Sequence, residues 1–262
     1  MYIGLIAATM YCITALLMGM RLFHQKGPSF AVLWGFAAIA LSAHLILLSQ
    51  SILLEPGQNM SISNVASLVA WLISISMTVG SLAFRNIFLL PVVFGFSTLI
   101  ILFSLFIPDT HIMHIELKPA LISHITLALF AYGCLTIAFL YALQLAYINY
   151  RLKHKQASLI DSPLPPLMVV ESILFKILLT GTLLLTLSLI TGFMFLDNMF
   201  VQEQAHKTVF SIIAWVIFCV VLVGHRKWGW RGRPVISATI VGTVFLTIAY
   251  FGSRFVKEVL IN

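Results

Sequence analysis

The chain has 262 residues, 61% of them hydrophobic and only 9% charged, with a mean hydropathy of +1.06. Charged residues make up about a quarter of an ordinary soluble domain, so this composition excludes one and points to a membrane protein. The net charge of +7 is to be shared between the two faces of a bilayer, and read in that way it implies no nucleic-acid partner.

Eight segments free of Asp, Glu, Lys and Arg follow one another at 2–20, 30–53, 64–83, 87–107, 121–147, 177–196, 208–224 and 235–252. At about 1.5 Å per residue each crosses a hydrocarbon core of roughly 30 Å, or nearly so for the two shortest. None alternates as barrel strands do. The expected fold is all-α, a single integral membrane domain over 1–262 with eight transmembrane helices.

The first segment, 2–20, has no basic n-region and no small-residue cleavage site after it, so it reads as a retained helix and not a signal peptide. His44 lies in the second segment, about 4 Å to the outer side of its midpoint. The loop after the fourth segment contains Asp109, His111, His114 and Glu116. Its two imidazoles three apart could hold a divalent metal if the loop were helical, but no third fixed ligand is at hand, and a solvated loop is the simpler reading.

The fifth segment opens with Ser123-His124, and Ala128 and Ala131 lie one and two turns below on the same face. The longest loop, 148–176, begins with the basic run Arg151-Leu152-Lys153-His154-Lys155 and breaks at Ser162-Pro163-Leu164-Pro165-Pro166. Proline just before a helix removes a donor that would be orphaned anyway. The sixth helix is therefore expected to begin near Leu167 with an interfacial turn bearing Glu171 and Lys176. The seventh segment is followed by His225, which runs into Arg226-Lys227-Trp228-Gly229-Trp230-Arg231-Gly232-Arg233-Pro234. Cys12, Cys134 and Cys219 all lie inside spans, which leaves no disulfide or redox pair in a loop. No repeat and no two-halves transporter symmetry is evident.

Eleven of the Lys and Arg residues fall in the loops 21–29, 84–86, 148–176 and 225–234, and four in 54–63, 108–120, 197–207 and 253–262. The first set is cytoplasmic by the positive-inside rule, which puts both termini on the outer, periplasmic side.

With no acid, Lys or Arg in any span, histidine is the ionisable type left to the membrane. A neutral imidazole is a good axial ligand for haem iron. His44, His124 and His225 therefore each have two readings: a haem ligand, or a packed or interfacial histidine bonded to a backbone carbonyl. The loop after His225 likewise reads either as a site where Arg231 and Arg233 meet an anionic group, or as a basic anchor with an aromatic belt.

Ser123-His124 followed by Ala131-Tyr132-Gly133 resembles the cytochrome c assembly family of haem-handling membrane proteins. Leu164-Pro165-Pro166-Leu167 with Glu171, then Leu184-Leu185-Thr186-Leu187 to Thr191-Gly192, is similar to the family's sixth-helix pattern. Ala214-Trp215, His225, Gly229-Trp230-Arg231-Gly232-Arg233 and Phe251-Gly252 are similar to its closing helix pair. The likeness covers roughly 34–252 and is nearest to the HemX-like, eight-helix inner-membrane branch.

The resemblance implies a multi-pass protein of the bacterial inner membrane that binds, passes or senses haem b. Its expected partners are the lipid bilayer, haem and other membrane proteins of cytochrome assembly. His124 takes the place of the outer-face ligand and His225 that of the helix-end histidine. His44 is the expected partner of His124, because both lie in the outer half and differ by about 10 Å in depth. Synthase members carry a tryptophan-rich outer segment, whereas 196–206 has no Trp here; a second outer histidine after the last helix is also missing. The expectation is therefore a non-enzymatic haem-handling role. A small-solute permease and a structural partner of another membrane protein stand as alternatives. His124 and His225, near opposite faces and about 30 Å apart, are not expected to share one iron.

Overall fold

The computed structural model of the chain describes residues 2–24, 27–54, 57–84, 86–106, 111–113, 119–154, 165–195 and 205–252. Its helices are α1 (Tyr2–Phe23), α2 (Phe30–Ile52), α3 (Ile62–Phe84), α4 (Leu90–Phe106), α5 (Pro119–Lys153), α6 (Leu167–Phe195), α7 (Ala205–Trp228) and α8 (Arg233–Thr247), the last continued by a π turn, Ile248–Gly252. Seven are long and apolar enough to cross a membrane by length and composition; α4, with 17 residues, is shorter. As expected, α6 begins at Leu167, with Val169 and Val170 donating their backbone N–H groups to the carbonyl of Pro166. Helix α5 runs well past its apolar stretch: its 35 residues span about 52 Å, so its basic end stands outside any hydrocarbon core.

An all-helical reading misses one element. Leu53–Leu54 (β1), Gly57–Asn59 (β2) and Ile112–Met113 (β3) form a small antiparallel sheet in the order β1-β2-β3. Gln58 pairs with Leu53 on one side and Met113 on the other. Asn59 pins it: its side-chain oxygen accepts from the backbone N–H groups of Ser61 and His111. The Asn64 amide then donates to the carbonyls of Ser51 and Asn59, tying α3 to the end of α2.

The chain divides into two compact units, Met1–Leu117 and Lys118–Asn262. In the first, α1 packs along α2 and α4, and α3 along α4. Its interior holds a chain of polar groups from all four helices: Ser67, His44, Tyr11, Ser74 and Ser97. Polar side chains inside an apolar bundle persist because each satisfies the next, and packing and these bonds hold such helices together when lipid is as apolar as the core. In the second unit α5 packs mainly on α6, and α8 against both α5 and α7. Trp215 Nε1 donates to Thr186 Oγ1 at 2.8 Å. Thr186 lies about as far from the end of α6 as Trp215 does from the start of α7, so these helices run antiparallel.

Candidate functional site

Histidine 44 is fully buried, at 0% exposure. Its Nε2 stands 2.9 Å from Ser67 Oγ and its Nδ1 3.2 Å from Tyr11 Oη, whose ring meets the imidazole edge-on. Both ring nitrogens are thus engaged by hydroxyls of neighbouring helices, and the arrangement is that of a packed polar core. His44 belongs to the first unit and His124 to the second.

Histidine 124, half-buried in the opening turns of α5, is arranged differently. Its Nδ1 lies 2.9 Å from the backbone carbonyl of Ser188 near the end of α6. A carbonyl can only accept, so Nδ1 carries the proton and Nε2 keeps its lone pair. A second partner that fixes tautomer and ring orientation is what an imidazole needs to act as a metal ligand. Ala128 and Ala131, on the face below, are buried.

A residue that the sequence reading passed over stands at the same end. His206, in the first turn of α7, has a buried Nε2 with no hydrogen-bond partner among the described residues. Antiparallel pairing of α5 with α6 and of α6 with α7 brings the N-termini of α5 and α7 to one end of the unit. A buried imidazole nitrogen left unsatisfied costs about 1–3 kcal/mol, and a ligand at that end would relieve it. The sequence signal was its place, closing the 196–206 stretch where the resemblance looks for a haem-sheltering segment; residues 196–204 lie outside the described residues.

The motif residues of the second unit meet one another. Tyr132 Oη lies 3.1 Å from Thr247 Oγ1, and its ring stacks on Tyr250 at 4.9 Å and meets Phe251 at 5.6 Å. The π turn at the end of α8 supplies both aromatic rings. With Trp215 on Thr186, these contacts make the motif a scaffold that positions α5, α6, α7 and α8 relative to one another.

At the opposite end the loop after α7 is a built structure. Gly229, at φ +66°, caps α7 in the left-handed conformation, with its N–H on the carbonyl of His225. Trp230 folds back so that its N–H reaches the carbonyl of Gly224, its indole covers Gly224, and its own carbonyl stands 3.0 Å from His225 Nδ1. The His225 ring stacks on Phe175 of α6 at 3.4 Å. Arg231 Nε lies 3.9 Å from Glu171 Oε2, an acid 7% exposed. His225 and Arg231 both line an open cleft of about 710 Å³, together with Lys176 and Arg226. Arg233, at the start of α8, is exposed and outside that lining.

No group of three or more His, Cys, Asp or Glu that could hold a metal ion occurs among the described residues. His111 is exposed, while its loop partner His114 lies outside the described residues. The three cysteines are free.

The model of the cytochrome c assembly protein family matches residues 33–261. The inner membrane protein YpjD of Escherichia coli K12 is 41% identical over 259 residues, 98% of each chain. An uncharacterized 28.8 kDa protein of Azospirillum brasilense is 28% identical over 141 residues, 53% of this chain and 52% of its own. No solved structure matches.

Proposed function

The chain belongs to the cytochrome c assembly protein family, and on that premise we propose that it is a non-enzymatic haem-handling protein that holds haem b at the outer end of its second unit. It binds, passes or senses haem in support of cytochrome c assembly or haem supply. The observation that carries this reading is the His124 imidazole, with Nδ1 held by the Ser188 carbonyl and the Nε2 lone pair left over. His206, whose buried Nε2 has no hydrogen-bond partner among the described residues, is the residue we assign as the second ligand in place of His44, whose two nitrogens serve the core of the other unit.

The fit rests on donor chemistry. Haem, when bound, would supply an iron that neutral imidazole nitrogens could ligate. The protein's part is to fix the His124 tautomer through Ser188, to hold α6 and α7 in register through Trp215 and Thr186, and to brace α5 against α8 through Tyr132. No nucleophile paired with a base accompanies the two histidines among the described residues, and in our reading the chain binds haem without attaching it to protein.

The Escherichia coli relative is by name an inner membrane protein, and we assign this chain to the inner membrane as a multi-pass protein. All eight helices are read as spans with both termini outside. The split of basic residues, eleven to four, supports that orientation. Helix α4 is extended by the turn before it, where the Leu90 N–H bonds the Ile87 carbonyl and Asn86 and Leu89 are buried; that turn adds the length α4 lacks. The test is a Soret band in protein purified from haem-replete cells, lost or weakened by His124→Ala.

A further inference from the structure

The cleft at the basic end of the second unit does a different job. Three cations line it, Lys176, Arg226 and Arg231. Glu171, the one acid among the described residues, pairs with Arg231, and Lys176 and Arg226 have no acidic partner among the described residues. The cleft therefore carries a surplus of positive charge, on a rim fixed by the Gly229 cap and by Trp230 clamped on Gly224.

Its floor is apolar, formed by Phe175, Leu179 and Leu222. From Leu179 an exposed stripe continues along α6 through Leu183, Leu187 and Ile190. Residues spaced by three and four share one face of a helix. The cations thus stand at one end of an apolar track about 17 Å long, roughly the depth of one leaflet. A soluble anion has no use for that track, whereas a molecule with a charged head and a long chain uses both. Trp228 and Trp230, exposed and 5.8 Å apart, mark the level as that of the headgroups.

We infer that this cleft binds one anionic phospholipid, its phosphodiester between Lys176 and Arg226 and an acyl chain along Leu179, Leu183 and Leu187. Basic pockets between membrane helices hold lipid headgroups by this combination of charge and apolar wall. Glu171 sets the charge by neutralising Arg231, which leaves Lys176 and Arg226, without an acidic partner among the described residues, for a single phosphodiester. The inference is independent of haem; the orientation proposed above decides only which leaflet supplies the lipid.

The test uses the full chain in phosphatidylcholine nanodiscs, with brominated phosphatidylglycerol or brominated phosphatidylcholine as quencher of tryptophan fluorescence. Excess quenching by the brominated phosphatidylglycerol, about twofold or more and saturating at low mole fraction, is expected. Lys176→Gln with Arg226→Gln should remove that excess, and Arg226→Lys should keep it. Lys227→Gln with Arg233→Gln removes equal charge from the same end but outside the cleft, and should leave it intact. Helical circular dichroism identifies a misfolded variant, in which case Arg226→Gln alone, expected to raise the saturating mole fraction severalfold, takes the place of the pair. Equal quenching by the two lipids would overturn the inference, as would equal loss in both double variants. Competition by millimolar inorganic phosphate would make the site one for a soluble anion, and displacement by stoichiometric haemin would make it a haem site; either result also overturns it.

Discussion

His124 and His225 are both anchored on α6, one through the Ser188 carbonyl and the other through the Phe175 ring. Those anchor points are separated by about 20 Å of helix at 1.5 Å per residue. The distance is shorter than the thickness of bilayer expected between them, yet far beyond what one iron between two imidazoles spans. His225→Ala should therefore leave an outer haem spectrum unchanged, and so should Arg231→Gln with Arg233→Gln. Absorbance spectra of the purified variants check this, with reporter fusions alongside because those arginines also help set the topology.

In the first unit, Ser67→Ala leaves the His44 Nε2 without a partner, and Tyr11→Phe does the same to Nδ1. Each should lower stability by about 0.5–2 kcal/mol, the range measured for hydrogen bonds between membrane helices. Neither should alter a haem signal. Thermal unfolding in detergent reads the first effect and the Soret band the second; a spectral change in Ser67→Ala would return His44 to the ligand set.

The loop after α7 should be sensitive to its glycines in two distinct ways. Gly229→Ala places a side chain at φ +66° and should cost about 1–2 kcal/mol. Gly224→Ala puts a methyl group where the Trp230 indole lies, so Trp230 has to leave and its carbonyl leaves His225 Nδ1. Tryptophan emission should shift to the red in Gly224→Ala and much less in Gly229→Ala.

Orientation is testable directly. Reporter fusions after Gln58 and Lys118 should report the outer side, and fusions after Lys155 and Arg231 the cytoplasm. One inverted result among the four would contradict the assignment of both termini to the outside.

The apolar runs were legible because charge is absent from them, and the start of α6 was legible because Pro165-Pro166 announce it. What could not be read depends on distant pairing. The strands at Leu53–Leu54 and Ile112–Met113 are two residues each, too short to carry a period, and they exist because Asn59 reaches His111. His44 is visible in the sequence as a histidine inside an apolar run, but its meaning lies in Tyr11 and Ser67, on other helices. His206 was in view as the last residue of a stretch, whereas the burial of its Nε2 without a partner among the described residues is a property of packing alone. Likewise Glu171 and Arg231 were both noted, and only the fold pairs them.

The central claim, an outer haem held by His124 and His206, is tested most directly by electron paramagnetic resonance of the ferric protein and its single His→Ala variants. The account predicts a low-spin signal in the unaltered protein, a high-spin signal in His206→Ala as one axial position opens, and loss of haem or a high-spin signal in His124→Ala, restored toward low spin by added imidazole. A low-spin signal that persists unchanged in both variants would contradict it.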